Sequence, residues 1–382
     1  MSSSISECNA SLRRVKTQIP EYDKFLITDF REDSLKRIQD KGTVAILTRS
    51  NAQALTIANM FKKKNIDYVI RRKRNEGKLN KWIAYLFNSE PRKTFDKSSL
   101  FEAVNQIVGK MNEDDFNDLW DDLNARRRNT TGSIGSRDIL LSICNHAVSK
   151  GFYLDEETCN TVISTIHRSK GREYENVIVD SDLVEQSKDE LEEHRVAYVA
   201  LSRAKDSVYS VKLPEVYFRT LENRRCYSWK QYSEKKTLSY IEIGFDRDFD
   251  DYSFCESKDC QEYIRRADKK LIGKKAYLKK RNDFAVSRGY DLYIEGSSKV
   301  IATTGPEFID DLEDAIRQLK NLPPRARVYD SLFPSRLVDI YVSDIATSIG
   351  MVRGNEFGVI EYGDRICWNT LIVEGYARAE YI

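Results

Sequence analysis

No stretch of the 382-residue sequence approaches the ~18 consecutive apolar residues of a membrane helix, so no membrane partner is expected. The opening residues, Met1 to Ile5, lack the charged-then-apolar pattern of a targeting signal. Neither sign of charge is in excess: 62 Lys+Arg against 60 Asp+Glu leave a net charge of +2. That balance excludes a histone-like polycation while leaving room for local basic patches. Only three histidines occur, and the seven cysteines are odd in number and widely scattered. A chain of this size needs no disulfide staples, so reduced thiols and a cytoplasmic location are expected. There is no internal repeat and no low-complexity tract.

What is present describes a folded chain. Hydrophobic residues make up 41% and aromatics 11%, enough for a sizeable core, and the length suits two or three domains. Thr43-Val-Ala-Ile-Leu-Thr48 is a short apolar, β-branched run that reads as a buried strand. Asn51–Lys64 repeats apolar residues at helical spacing, with Ser50 or Asn51 as its cap, and Ile66–Ile70 reads as the next strand. Strand, helix, strand is the unit of a parallel α/β sheet. Residues 90–155 change character: Leu100–Met111, Asp114–Arg126 and Ser136–Lys150 read as helices. The strand pattern resumes with Thr161–Ile166 and Val177–Asp180, a helix over Leu191–Lys205, and a strand over Ser207–Val211. Beyond Leu213 come short β runs and two helices, near Lys258–Lys270 and Pro306–Leu319.

Chemistry-bearing residues concentrate in two segments. The first runs from Thr165 through His167, Arg168, Lys170, Gly171 and Glu173 to Ile178; the second runs from Glu192 through Arg195 to Lys205. A loop leaving a parallel strand is where α/β folds place ligand-binding groups, and Gly171 permits a turn that a bulkier residue would strain. On one continuous helix Arg195 and Arg203 would sit ~80° apart and share a side. Arginine's planar fork of donors suits phosphate. Taken alone, the same residues also describe a solvated loop and an ordinary amphipathic helix.

The full wording of the two segments resembles motifs V and VI of superfamily 1 DNA helicases of the UvrD/Rep type. The family phrases run Thr-x-His-x-x-Lys-Gly-Leu-Glu-Phe and Glu-x-Arg-x-x-Tyr-Val-Ala-x-Thr-Arg-Ala. They stand here as Thr165, His167, Lys170, Gly171, Glu173, Tyr174 and as Glu193, Arg195, Tyr198, Val199, Ala200, Arg203, Ala204. Arg172 and Ser202 depart from the pattern. Val44–Asn51, Ile66–Tyr68 and Trp82–Leu86 resemble the opening of the family's second RecA-like domain, although Asn65 and Asp67 depart from its habit. The resemblance implies an α/β fold: a RecA-like parallel sheet of the P-loop NTPase type (second domain) over 43–89 and 156–213. It further implies a helical insertion over 90–155, with a 1–42 lead-in and a β-rich C-terminal domain over 214–382.

Roles follow from the same resemblance. Arg203 is similar to the arginine finger that approaches the γ-phosphate, the catalytic residue of this set. Gly171, Glu173 and Arg195, with Arg203, match the ATP-binding positions, Glu173 at the ribose and Arg195 supporting the cleft. Arg49, Ser50 and Asn51 fall in the turn that faces DNA, and Thr165, His167 and Lys170 fall where the family couples ATP to single-stranded DNA. The implied cofactors are ATP and Mg²⁺, and the implied partner is single-stranded or partly duplex DNA.

One part of the motor is not in this sequence. Gly-x-x-x-x-Gly-Lys-[Ser/Thr] does not occur: Gly132–Gly135 is followed by Ser136-Arg137, and Gly273-Lys-Lys275 has no glycine at the right offset upstream. About 42 residues precede Thr43, against the ~100 a RecA-like domain needs. The expectation is helicase-type ATPase activity only with a P-loop domain from another chain or from a missing N-terminal half, and none alone. The alternative is an ATP-independent module that binds nucleic acid or protein.

Remaining features weigh less. Lys62–Lys64 with Arg71–Arg74, and the basic cluster from Arg265 to Arg281 with Tyr277 nearby, suit a nucleic-acid backbone or a solvated face. Cys255 and Cys260 lack a second pair or a nearby histidine, so no protein-bound metal is expected. The carboxylates of 240–254 invite a metal-nuclease reading, but no Glu-x-Lys pattern accompanies them on a strand.

Overall fold

Five consecutive buried residues, Val44–Thr48, form the centre of a parallel sheet, as expected of a strand covered on both faces. In the computed structural model the described residues are 21–23, 39–40, 42–71, 78–89, 94–109, 111–125, 132–145, 152–153, 159–180, 183, 191–232, 235–267, 270–284, 287–354, 361–362 and 365–381. The chain divides into two compact units, Met1–Lys73 with Glu157–Thr220 and Arg74–Glu156 with Leu221–Ile382. Among the described residues no helix is long and apolar enough to cross a membrane.

The first unit holds β1 (Glu21–Asp23), β2 (Val44–Thr48), α1 (Asn51–Lys63), β3 (Val69–Arg71), β4 (Thr161–Thr165), β5 (Tyr174–Asp180), α2 (Leu191–Leu201) and β6 (Ala204–Val211). Its sheet order is β1-β6-β5-β2-β4-β3, parallel throughout. Apolar side chains alternate to two faces. Val44, Ile46, Ile163 and Ile178 pack with Ile57, Ala58 and Phe61 of α1. Ala45, Leu47, Val177 and Val179 pack with Val196, Ala197 and Ala200 of α2. Ser50 caps α1 by accepting a hydrogen bond from Gln53 N.

Three expectations shift here. Part of the 1–42 lead-in joins the sheet, since Glu21–Asp23 runs beside Ser207–Tyr209. The helix expected to reach Lys205 ends at Leu201, because β6 begins pairing with β5 at Ala204. Residues 74–89, expected with the parallel sheet, group with the second unit.

That unit is built on an antiparallel sheet. Its strands run in the order Cys226–Tyr232, Lys235–Ile243, Arg365–Glu380, Arg336–Met351, Lys275–Lys280, Tyr290–Ile294 and Val300–Thr303. The helices Lys258–Ala267 and Pro306–Leu319 contribute Ile264, Phe308, Leu312 and Ile316 to one core with Leu278, Leu292, Leu337 and Val342. The segment 90–155, read as an insertion in the parallel sheet, belongs to this unit instead. Leu79–Asn80 pairs with Ala346–Thr347, and the helix Trp82–Ser89 follows directly. Ala84 N donates to Thr347 Oγ1 at 3.1 Å and Asn88 Nδ2 donates to the Cys367 carbonyl at 2.8 Å. Trp82 and Phe87 share an apolar cluster with Leu100, Phe116, Leu119, Ile139 and Cys367. Burial of these rings, which the short apolar run Trp82–Phe87 could not specify by itself, decides where the segment docks.

Candidate functional site

At the carboxyl edge of the parallel sheet β2 and β4 finish level, with Thr48 opposite Thr165. Ile166 N donates to the Thr48 carbonyl at 3.0 Å, and Thr48 Oγ1 donates to the Ser50 carbonyl at 3.0 Å. Arg49 is exposed and Ser50 and Asn51 half-buried where the chain turns into α1. Gln53 braces this turn from beneath. Its amide accepts from Arg49 N (3.3 Å) and donates to Asp180 Oδ2 (3.0 Å) and the Pro214 carbonyl (3.3 Å). Thr165 is half-buried and His167 exposed at the same edge.

The loop 166–173 does not stay there. Val44 lies opposite Asn176, so Tyr174 opens β5 about six residue rises, or ~20 Å, below the Thr48–Thr165 level. The loop therefore carries the chain from the carboxyl edge to the amino edge. Its first turn is tight: Arg168 N and Ser169 N donate to the Thr165 carbonyl at 3.0 and 3.2 Å. Ser169 is fully buried and its hydroxyl donates to the Ile166 carbonyl at 2.7 Å. Gly171 has φ +79°, the left-handed region that glycine occupies without strain. Lys170, Gly171 and Glu173 are exposed.

Arg203 meets the loop at the amino edge. Its carbonyl accepts from Tyr174 N at 2.9 Å. Its side chain donates through Nε to the Val199 carbonyl (3.0 Å), through Nη1 to the Arg172 carbonyl (3.1 Å) and through Nη2 to Ser202 Oγ (3.0 Å). Val199 O is one of the carbonyls that a helix end leaves unpaired, so Arg203 caps α2 and ties it to the loop. Arg203 lies beyond the last helical residue, so the expectation that it shares one helix side with Arg195 does not hold. Arg195 is exposed within α2.

The expected site residues thus form two groups. Gly171, Glu173 and Arg203 gather at the amino edge; Arg49, Ser50, Asn51, Thr165 and His167 gather at the carboxyl edge; Lys170 lies on the loop joining them. The sequence reading missed the two braces, Ser169 and Gln53. A signal for Gln53 exists, since Ser50-x-x-Gln53 has capping-box spacing.

The other candidates resolve into structural roles. Lys62 and Lys63 occupy the last turn of α1, where positive charge complements the helix dipole; Arg72–Arg74 fall outside the described residues, as do the Glu193 side chain and Lys269. Cys255 and Cys260 thiols donate to the carbonyls of Tyr252 (3.1 Å) and Ile301 (3.0 Å). The carboxylates of 240–254 are divided: Asp248 pairs with buried Arg225 at 2.5 Å, Asp246 with Lys78 at 3.3 Å, and Asp250 caps a 3₁₀ turn through Tyr252 N. No group of three or more His, Cys, Asp or Glu that could hold a metal occurs among the described residues.

Residues 160–211 match the family model of the UvrD-like helicase C-terminal domain, a span that takes in β4, the loop, β5, α2 and β6. This segment is similar to that helicase domain. The C-terminal domain of a possible DNA helicase from Lactobacillus plantarum WCFS1 is also similar, at 13% identity, covering 54% of this chain and 86% of that one. Its TM-score of 0.15 lends no weight to an argument about shape. No curated protein matches the chain. The matched segment contains both ends of the 166–173 loop and Arg203, so the similarity falls on the residues that join the two edges.

Proposed function

We propose that the parallel-sheet unit acts as the second RecA-like domain of an ATP-driven DNA helicase or translocase. The observation that carries this reading is the single loop, 166–173, running between two edges of one sheet inside the segment that matches the helicase family. A motor needs such a link, because a change at the nucleotide must be felt at the DNA. Glu173 offers an exposed acceptor for ribose hydroxyls. Arg203 spends three of its five N–H donors on its own unit and keeps two for a phosphate. Arg195 supports the same side. Arg49, Ser50, Asn51, Thr165 and His167 meet DNA at the other edge, with Lys170 between.

These residues fit one wall of a nucleotide site. Bound ATP·Mg²⁺ supplies the phosphoryl group whose hydrolysis drives movement; the cradle for it comes from a P-loop domain in another chain or in preceding sequence. The chain alone hydrolyses no ATP on this reading. Combined with a P-loop-bearing first RecA-like domain, it should show DNA-stimulated turnover that Arg203→Ala lowers by ~10³-fold without weakening DNA binding. Robust turnover by the chain alone sinks the proposal.

A second reading is favoured by one observation: Arg203 already has a structural task. In an ATP-independent binding module that task is the whole of its role. Arg203→Lys would then leave every activity of the chain unchanged.

A further inference from the structure

Three strand ends of the parallel sheet meet at one half-buried side chain, Gln53. Both amide hydrogens are used: Nε2 donates to Asp180 Oδ2 at 3.0 Å and to the Pro214 carbonyl at 3.3 Å, while Oε1 accepts from Arg49 N at 3.3 Å. These partners fix which way round the amide lies, since only its oxygen can take an N–H and only its nitrogen can serve a carboxylate and a carbonyl. Arg49 opens the turn after β2, and Asp180 is the last residue of β5. Pro214 follows β6 just beyond Leu213, which is buried in one core with α1. A side chain in the first turn of a helix ordinarily bonds back to the N-cap backbone. Gln53 reaches one residue further back and spends its donors on two other strands, which a cap alone does not require.

The two strands served by Nε2 both start at Arg203. β6 begins at Ala204, the next residue, and β5 begins at Tyr174, whose N–H donates to the Arg203 carbonyl at 2.9 Å. They run parallel and paired, with Asn176 beside Ser207 and Asp180 beside Val211, so their far ends arrive together at the carboxyl edge. Paired strands are stiff along their length, and such rigid elements carry coupling between distant sites. A displacement at Arg203 is therefore delivered to Asp180 and Pro214, ~20 Å away along β5.

We infer that Gln53 is a positioning residue, which sets the turn Arg49–Asn51 by the ends of the two strands that leave Arg203. This role rests on the motor reading of the parallel-sheet unit and adds to it a second route between the edges. The 166–173 loop leads to Thr165 and His167. Gln53 leads to the other half of the carboxyl-edge group, through Arg49 N and through its own N–H, which donates to Ser50 Oγ at 3.2 Å.

The test uses the full chain with a P-loop-bearing first RecA-like domain, an oligothymidylate of about 15 nucleotides and a non-hydrolysable ATP analogue. The readout is the ratio of the oligonucleotide Kd with and without the analogue, which measures coupling between the two sites. In the unaltered pair the analogue should change that Kd by about fivefold or more. Gln53→Met keeps the side-chain length and loses all three amide bonds; it should shrink the effect by about threefold or more, while the Kd without analogue stays within about twofold. Gln53→Glu should shrink it similarly by setting a carboxylate against Asp180. Adding Asp180→Asn, which lets an amide donate across the same gap in the opposite sense, should restore the effect. A full nucleotide effect in Gln53→Met overturns the inference and leaves the motor reading standing, with the loop as its route. Binding that weakens equally with and without the analogue, in step with a lower melting temperature, makes Gln53 a helix cap alone and overturns the inference too. No nucleotide effect in the unaltered pair overturns the motor reading and this inference together.

Discussion

Replacing Arg203 by alanine removes three hydrogen bonds at once, to Val199 O, Arg172 O and Ser202 Oγ. The side chain is half-buried, so water can reach part of what is left, and each bond is worth about 0.5–1 kcal/mol rather than the upper value for a charged donor. The expected loss is about 2 kcal/mol from the parallel-sheet unit. For a unit of this size that lowers its melting temperature by ~6–8 °C. Differential scanning calorimetry on the full chain resolves it as a shift of one transition. Arg203→Lys should recover less than half, since an ammonium cannot reach three acceptors that lie in a fork. A shift below about 2 °C for Arg203→Ala would refute the reasoning. The consequence for function is direct: loss of turnover in Arg203→Ala reports an arginine finger only when measured below the variant's own melting temperature and beside Arg203→Lys.

Other perturbations test the second unit. Arg225 is 1% exposed and bound to Asp248, Asp311 and the Glu242 carbonyl; Arg225→Ala strands a buried carboxylate and should cost about 3–5 kcal/mol in urea unfolding. Gly350→Ala would push a methyl into Tyr252 Oη and to 2.8 Å from the Trp368 ring, so a loss of about 2–3 kcal/mol is expected; a wild-type urea midpoint would contradict the packing described. Burial pushes the Cys260 thiol up to about 12, leaving about 10⁻⁴ of it as thiolate at pH 8. Because the shift is upward, Cys260 should stay inert to iodoacetamide from pH 7 to pH 9 while half-exposed Cys159 is labelled; equal labelling of the two in the native chain would be the contrary result.

The parallel sheet was readable because its strands are short, apolar and bounded, and because the wording from Thr165 to Ala204 is specific. The end of α2 was not, since Ser202, Arg203 and Ala204 continue a good helical pattern and only pairing with β5 stops it. For the same reason the relation between Arg195 and Arg203 was misread. The docking of 74–156 was hidden for a different cause. Trp82 and Phe87 advertise burial without saying against what, and their partner Cys367 lies about 280 residues further on. In the antiparallel sheet, composition suggested a basic patch from Arg265 to Arg281. The pleat separates it: Arg265 and Arg266 end a helix, while Lys275 and Lys279 share a face with Tyr277.

The central claim is that the parallel-sheet unit is half of a motor, and ATP hydrolysis with single-stranded DNA tests it most directly. The chain should show no turnover by itself. With a P-loop-bearing RecA-like domain added it should hydrolyse ATP, and Arg203→Lys, assayed below its melting temperature, should abolish that rate while DNA affinity stays within twofold. Turnover by the chain alone, or a reconstituted rate indifferent to Arg203→Lys, would contradict the account.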